Sequence, residues 1–213
     1  MLKISELKLG YGGKAVLNLA KFSVANGEHT LLSGKSGSGK TTLLYALSGL
    51  LKPLAGSIEI AGTEITNLSG SKLDKFRGEN IGIVFQTLHM IAAVTVLDNI
   101  LVAPFMGGKS LARVDAVALL KSLGIEDLAN RKPSEISHGQ AQRVAIARAA
   151  ANSPKLLLAD EPTSALDDES AEKVVKLLFE IAEKSGATLV VASHDGRIKK
   201  HFKKTLNVGG ANE

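Results

Sequence analysis

Residues 30–44 read Thr-Leu-Leu-Ser, then Gly34-Lys35-Ser36-Gly37-Ser38-Gly39-Lys40-Thr41, then Thr42, Leu43 and Leu44. A short apolar strand, a G-x-x-x-x-G-K-[ST] loop and an opening helix in this order predict a phosphate cradle. Its glycines let successive N–H groups converge on an anion at a helix N-terminus, where the helix dipole adds positive potential. Lys40 is placed to bridge the β and γ phosphates of a nucleotide, and Thr41 to offer a hydroxyl to Mg²⁺. The other protein ligand to that ion is expected from a carboxylate at the end of another strand.

Around this element, short apolar runs alternate with amphipathic segments, the pattern of a mostly parallel sheet covered by helices. Strands are expected at Thr30 to Ser33, Ile81 to Phe85, Leu156 to Ala159 and Thr188 to Ser193. Helices are expected at Lys40 to Leu50, Leu111 to Leu123, Gln140 to Ala151 and Glu169 to Lys184. In the last, Ala171, Val174, Val175, Leu178, Ile181 and Ala182 form one stripe, and Glu169/Lys173, Glu172/Lys176 and Glu180/Lys184 are spaced to pair at i,i+4. Short strands before residue 33, turning at Gly10-Tyr11-Gly12-Gly13, predict an antiparallel patch beside the parallel sheet. Between Leu88 and Glu135 helical periodicity dominates, so a helical subdomain is expected there, inserted into the α/β core.

Candidate reactive groups fall at strand ends. Leu156-Leu157-Leu158-Ala159 is followed by Asp160 and Glu161, two acids at the sheet edge where α/β proteins bind ligands. Side chains diverge at a strand end, which assigns Asp160 to Mg²⁺ and Glu161 to the attacking water. Gln86 and His194 end two other strands on the same edge and can orient a water, approach the metal or contact a γ phosphate. Ser137-His138-Gly139-Gln140 opens a helix and reads equally well as a capping box or as a second anion site.

With 0 Cys there are no disulfides, thiolate metal sites or cysteine nucleophiles. No stretch reaches the roughly 20 apolar residues of a membrane-spanning helix, and residues 1–10 lack a signal-peptide core, so an exported protein is not expected. The net charge of +5 equals the contribution of Arg197, Lys199, Lys200, Lys203 and Lys204. Only Phe202 interleaves with those charges, which disfavours nucleic acid as a partner and suggests a solvated helix face or a contact with lipid headgroups.

These motifs, in this order over nearly the whole chain, resemble the ATP-binding subunit of an ABC transporter, with the lipoprotein-releasing and macrolide-exporting branch most similar through Phe85-Gln86, Thr95 to Asn99 and Pro133-Ser134-Glu135. Thr163-Ser164-Ala165-Leu166-Asp167 departs from the Thr-Gly-Asn-Leu-Asp of that branch. The resemblance implies a phosphate-loop NTPase core (1–87 and 155–213) with a helical subdomain at about 88–154, all one ATP-binding domain. It implies that Gly34, Lys35, Ser36, Gly37, Ser38, Gly39, Lys40, Thr41 and Thr42 hold ATP. Tyr11, with Val16 nearby, would stack on adenine. Thr41, Gln86 and Asp160 would contact Mg²⁺, Glu161 would be the general base and His194 the switch histidine. Ser137, Gly139 and Gln140 would face the γ phosphate of a second, identical subunit in a head-to-tail dimer that Asp167 helps to link. His138 stands where glycine is commoner. A separate integral membrane permease, reached from the cytoplasmic face of the inner membrane through helices near His89 to Met106, is the implied partner. A nontransport role in division or cell-wall regulation, or as a soluble assembly ATPase, is the alternative the family allows.

Overall fold

The computed structural model describes residues 1–164 and 166–209. Five strands form a wholly parallel sheet in the order β6-β7-β8-β3-β9, with β3 at Thr30–Ser33, β6 at Ile81–Val84, β7 at Leu156–Asp160, β8 at Thr188–Ser193 and β9 at Lys204–Asn207. Strands β7 and β8 are buried at every position, as a sheet covered on both faces requires, and this explains their unbroken apolar runs. A second, antiparallel sheet runs β2-β1-β4-β5, built from Leu2–Tyr11 (β1), Lys14–Val24 (β2), Ala55–Ile60 (β4) and Thr63–Glu64 (β5). The N-terminal antiparallel patch is therefore a full sheet, completed by β4 and β5, for which the sequence offered no strong pattern.

Helix α1, Lys40–Leu47, stops three residues short of the expected end, because Gly49 adopts φ 70°. Helix α2, Gly70–Asn80, escapes the apolar-stripe search because its only fully buried residue is Asn80. Between β6 and β7 lie α3 (Val96–Met106), α4 (Arg113–Ser122) and α5 (His138–Ala150). Their apolar sides share one continuous core with the sheet and with α6 (Asp168–Ser185), including Ile100, Leu120, Val144, Ile146, Leu157, Val175 and Leu178. Helix α5 lies flat on β6: a Cβ on Gly82 would land on the Ala149 carbonyl. On α6 the predicted apolar stripe is buried as expected. Two of its three predicted ion pairs close, Glu169–Lys173 at 2.6 Å and Glu172–Lys176 at 3.5 Å.

The basic segment near the end is not a free helix face. It is a 3₁₀ turn, Gly196–His201, in which Arg197 pairs with Asp195 and Asp168, Lys200 with Glu172, and the following Lys204 with Glu28. That pairing removes much of the positive field the sequence suggested. No helix among the described residues is long and apolar enough to cross a membrane.

Behind the sheet, His29 sits half-buried with Nδ1 accepting the Leu189 N–H at 3.1 Å and its ring edge-on to Phe179. Burial holds its imidazole below the usual histidine range, with Glu183 partly opposing. The folded state therefore disfavours the protonated ring. The stability gained is whole above the unfolded pKa of about 6.5 and is lost as pH falls through that value toward the folded one. We expect the thermal midpoint to drop between pH 7.5 and 5.5. In His29→Asn, whose amide oxygen can still accept but does not titrate, the drop should be smaller, and equal slopes in calorimetry would remove His29 as the cause.

Candidate active site

The loop after β3 is shaped by contacts that exclude larger residues. A Cβ on Gly34 would collide with Ser38 Oγ and the Val208 carbonyl, while Gly37 and Gly39 adopt φ 77° and 96°. Gly39 caps α1 with no side chain, so the first-turn N–H groups stay open toward the cleft. Lys40 is 5% exposed and folds back over the loop, donating to the Gly34 carbonyl at 2.9 Å and the Lys35 carbonyl at 3.1 Å. An uncapped helix start with a buried ammonium beside it is an anion site by construction.

The cleft in front of this loop is lined by Val16, Ser36, Gly37, Gly39, Lys40, Thr41, Thr42, Gln86, Glu161 and His194. Strand β7 runs one residue further than expected, so Asp160 is its last member and Glu161 turns out of it with φ 45°. The two acids consequently diverge. Asp160 Oδ1 accepts from the Thr41 hydroxyl at 3.1 Å, and burial pushes its carboxyl up, with the Thr41 hydrogen bond opposing. Glu161, 9% exposed, faces Lys40 Nζ at 3.4 Å and His194 Nδ1 at 2.9 Å, and accepts from Ser193 Oγ at 3.0 Å and the His194 N–H at 3.4 Å. Strand β6 ends at Val84, one residue early, which leaves Gln86 exposed in the loop at the cleft wall.

Thr41, Asp160 and Gln86 supply oxygen donors of the kind Mg²⁺ takes, with room for water and phosphate oxygens. The described residues hold no group of three His, Cys, Asp or Glu that could cage a metal alone. The donor set fits a divalent ion whose remaining ligands are phosphate oxygens and water.

Other predicted residues lie outside this cleft. Tyr11 is exposed at the end of β1, and of the two residues expected at the base only Val16 lines the cleft. Ser137, His138 and Gly139 are exposed at the start of α5, and the capping box is real: Ser137 Oγ accepts from the Gln140 N–H at 3.3 Å, and Gln140 Oε1 from the Ser137 N–H at 2.8 Å. They border a separate groove with Gly124, Arg143 and Lys173. Asp167 caps α6, its carboxylate accepting from the Ser170 N–H at 2.9 Å; the preceding Ala165 is outside the described residues.

Sequence reasoning missed a polar knot beside the site. Asp195 accepts from Thr163 Oγ1 at 3.0 Å and pairs with Arg197, whose guanidinium holds the Asp195 carboxyl down to about 2 and also reaches the Leu166 carbonyl. It ties the segment carrying His194 to the turn after Glu161. The adjacent His-Asp in sequence was the only available signal.

Comparison with known proteins agrees with this geometry. The ABC transporter family model matches residues 17–164. The lipoprotein-releasing system ATP-binding protein LolD of Bacteroides thetaiotaomicron is 35% identical over 98% of this chain and 96% of its own. Among solved structures, the dimeric ATP-binding cassette MJ0796, in a post-hydrolysis state with ADP and Pi, superposes with a TM-score of 0.87 at 34% identity over 98% of this chain and 95% of its own. The cbiO1 protein of Clostridium perfringens, part of the cbiONQ transporter complex, gives 0.84 at 31% identity over 98% and 85%. With phosphate loop, acidic strand end, glutamine and histidine arranged on one sheet edge and these likenesses spanning nearly the full chain, the protein belongs to the ABC transporter family as an ATP-binding cassette.

Proposed function

We propose that this cassette hydrolyses Mg-ATP in a head-to-tail homodimer to drive a separate membrane permease in a lipoprotein-release system of the LolD type. The observation that carries the chemistry is the buried Glu161 set between Lys40 and His194 while Asp160 is tied to Thr41. Lys40 and the open N–H groups of α1 hold the β and γ phosphates, and Val16 and Tyr11 flank the base. Water attacks the γ phosphorus, its proton passes to Glu161, and the bond to the bridging oxygen breaks to leave ADP and phosphate. When bound through Thr41, Asp160 and Gln86, Mg²⁺ would neutralise charge on the phosphate oxygens. His194 orients Glu161 and approaches the γ phosphate. Ser137, Gly139 and Gln140, remote from their own chain's cleft, serve the partner's nucleotide, and Asp167 lies at that junction.

For the permease we favour the lobe of residues 88–154, which carries Phe105 and Met106, each 77% exposed, together with Ile91 and Val114. Adjacent large apolar side chains this exposed fit a contact with another protein. The reading places the protein on the cytoplasmic face of the inner membrane, and ties its N- and C-terminal parts, 1–87 and 155–213, into the nucleotide-binding core. Expression at native level, detergent extraction and pull-down should recover a multispan membrane protein, with recovery lost in Phe105→Asp/Met106→Asp. A soluble partner alone would favour an assembly ATPase instead.

A further inference from the structure

Two non-glycine residues in the loops leaving the catalytic sheet edge have left-handed backbone: His89 with φ 45°, after Gln86, and Glu161 with φ 45°, at the end of β7. Such a conformation costs of order 1–3 kcal/mol and persists only where surrounding contacts over-determine it. For Glu161 the cost is sharpened because the next residue is Pro162, whose ring restricts the residue before it.

Both turns are held by the same helix. On α5, Gln142 is 5% exposed and its Nε2 donates to the Pro162 carbonyl at 3.1 Å. Six residues further along, Arg148 donates to the His89 carbonyl at 2.8 Å and the Leu88 carbonyl at 2.6 Å. Helix α5 is itself immobilised, with Val144, Ala145, Ile146 and Ala147 fully buried and its end seated on Gly82. Its free end is Ser137.

We propose that α5 is a crossbar whose Gln142 and Arg148 are positioning residues, fixing the general base Glu161 and the Gln86 loop of the same chain. This rests on the reading of Glu161 and Gln86 given above and adds to it a route: a helix whose start meets the partner's nucleotide sets the geometry of its own chain's reacting groups. Neither side chain lines the cleft. The amide of Gln142 acts through one carbonyl, and the guanidinium of Arg148 through two.

The test is single-turnover hydrolysis of γ-labelled ATP at saturating Mg-ATP, with nucleotide affinity measured separately. Gln142→Met should slow hydrolysis about tenfold or more, the scale on which misplacing a reacting group acts, while ATP affinity changes less than about twofold. In the Glu161→Gln background the same substitution should have no further effect, since there is no base left to position. A purely structural role predicts that the two losses multiply, and that result would overturn the crossbar. Arg148 provides a second arm that does not depend on Gln142 variants folding: Arg148→Met should slow turnover, Arg148→Lys should recover part of it, and the loss should vanish in Gln86→Ala. Equal losses in the presence and absence of Gln86 would sink this arm. If Glu161→Gln alone turned over at the wild-type rate, the assignment of the base would fall first, and the inference with it.

Discussion

Glu161→Gln should abolish turnover while sparing ATP binding, and should leave a dimer that ATP closes and does not reopen. The amide is isosteric and can keep the hydrogen bonds from Ser193 and to His194 Nδ1, so the turn after β7 has no reason to collapse. What disappears is the carboxylate that takes the water's proton, an effect of about 10²–10⁴ in rate. Removing the charge also frees Lys40, 3.4 Å away, to serve the nucleotide alone. Phosphate release should fall by that factor, while light scattering after gel filtration in Mg-ATP shows twice the monomer mass. Rapid turnover, or monomer at all ATP concentrations, would refute the proposed base.

Lys40→Ala should produce the opposite dissociation, in which binding itself is lost. The ammonium donates to two loop carbonyls and faces the buried carboxylate of Glu161 at 3.4 Å. A charge-assisted hydrogen bond is worth about 1.5–3 kcal/mol, so the loss of contacts to two phosphates weakens ATP affinity by at least about tenfold to a hundredfold. It also leaves Glu161 buried beside Asp160 with the ammonium at 3.4 Å gone and only His194 and Ser193 to meet its charge, which lowers stability as well as affinity. Isothermal titration with ATP should show no measurable heat at concentrations that saturate the wild type, and no nucleotide-dependent dimer should form. Retention of wild-type affinity would show that the loop amides alone hold the phosphates.

How much of this was legible in the sequence depended on the range of the cause. The phosphate loop, the acidic end of β7 and the stripe of α6 follow from neighbours in sequence, and all three formed where expected. Helix α2 did not show itself because a polar surface helix carries no apolar period, β4 because its pairing comes from the distant β1, and β5 because its two residues pair with β4. The burial of Gln142 and the reach of Arg148 across about 60 residues to Leu88 and His89 leave no local pattern at all. The same holds for Arg197, read as a free charge in the sequence and found tied to Asp195, Asp168 and the Leu166 carbonyl. Side chains that act on distant carbonyls are visible only after folding.

Strand β3, which launches the phosphate loop, lies between β8 and β9 in the parallel sheet, and Val208 donates its N–H to the Ser33 carbonyl at 2.7 Å. The loop at residue 34 therefore cannot acquire its walls while the ribosome is still making the middle of the protein. Both flanking strands are translated more than 150 residues after it. A nascent chain stalled or cleaved before β8 would carry the whole phosphate motif yet lack the two strands that flank it, so an incomplete copy has no finished cleft for a nucleotide.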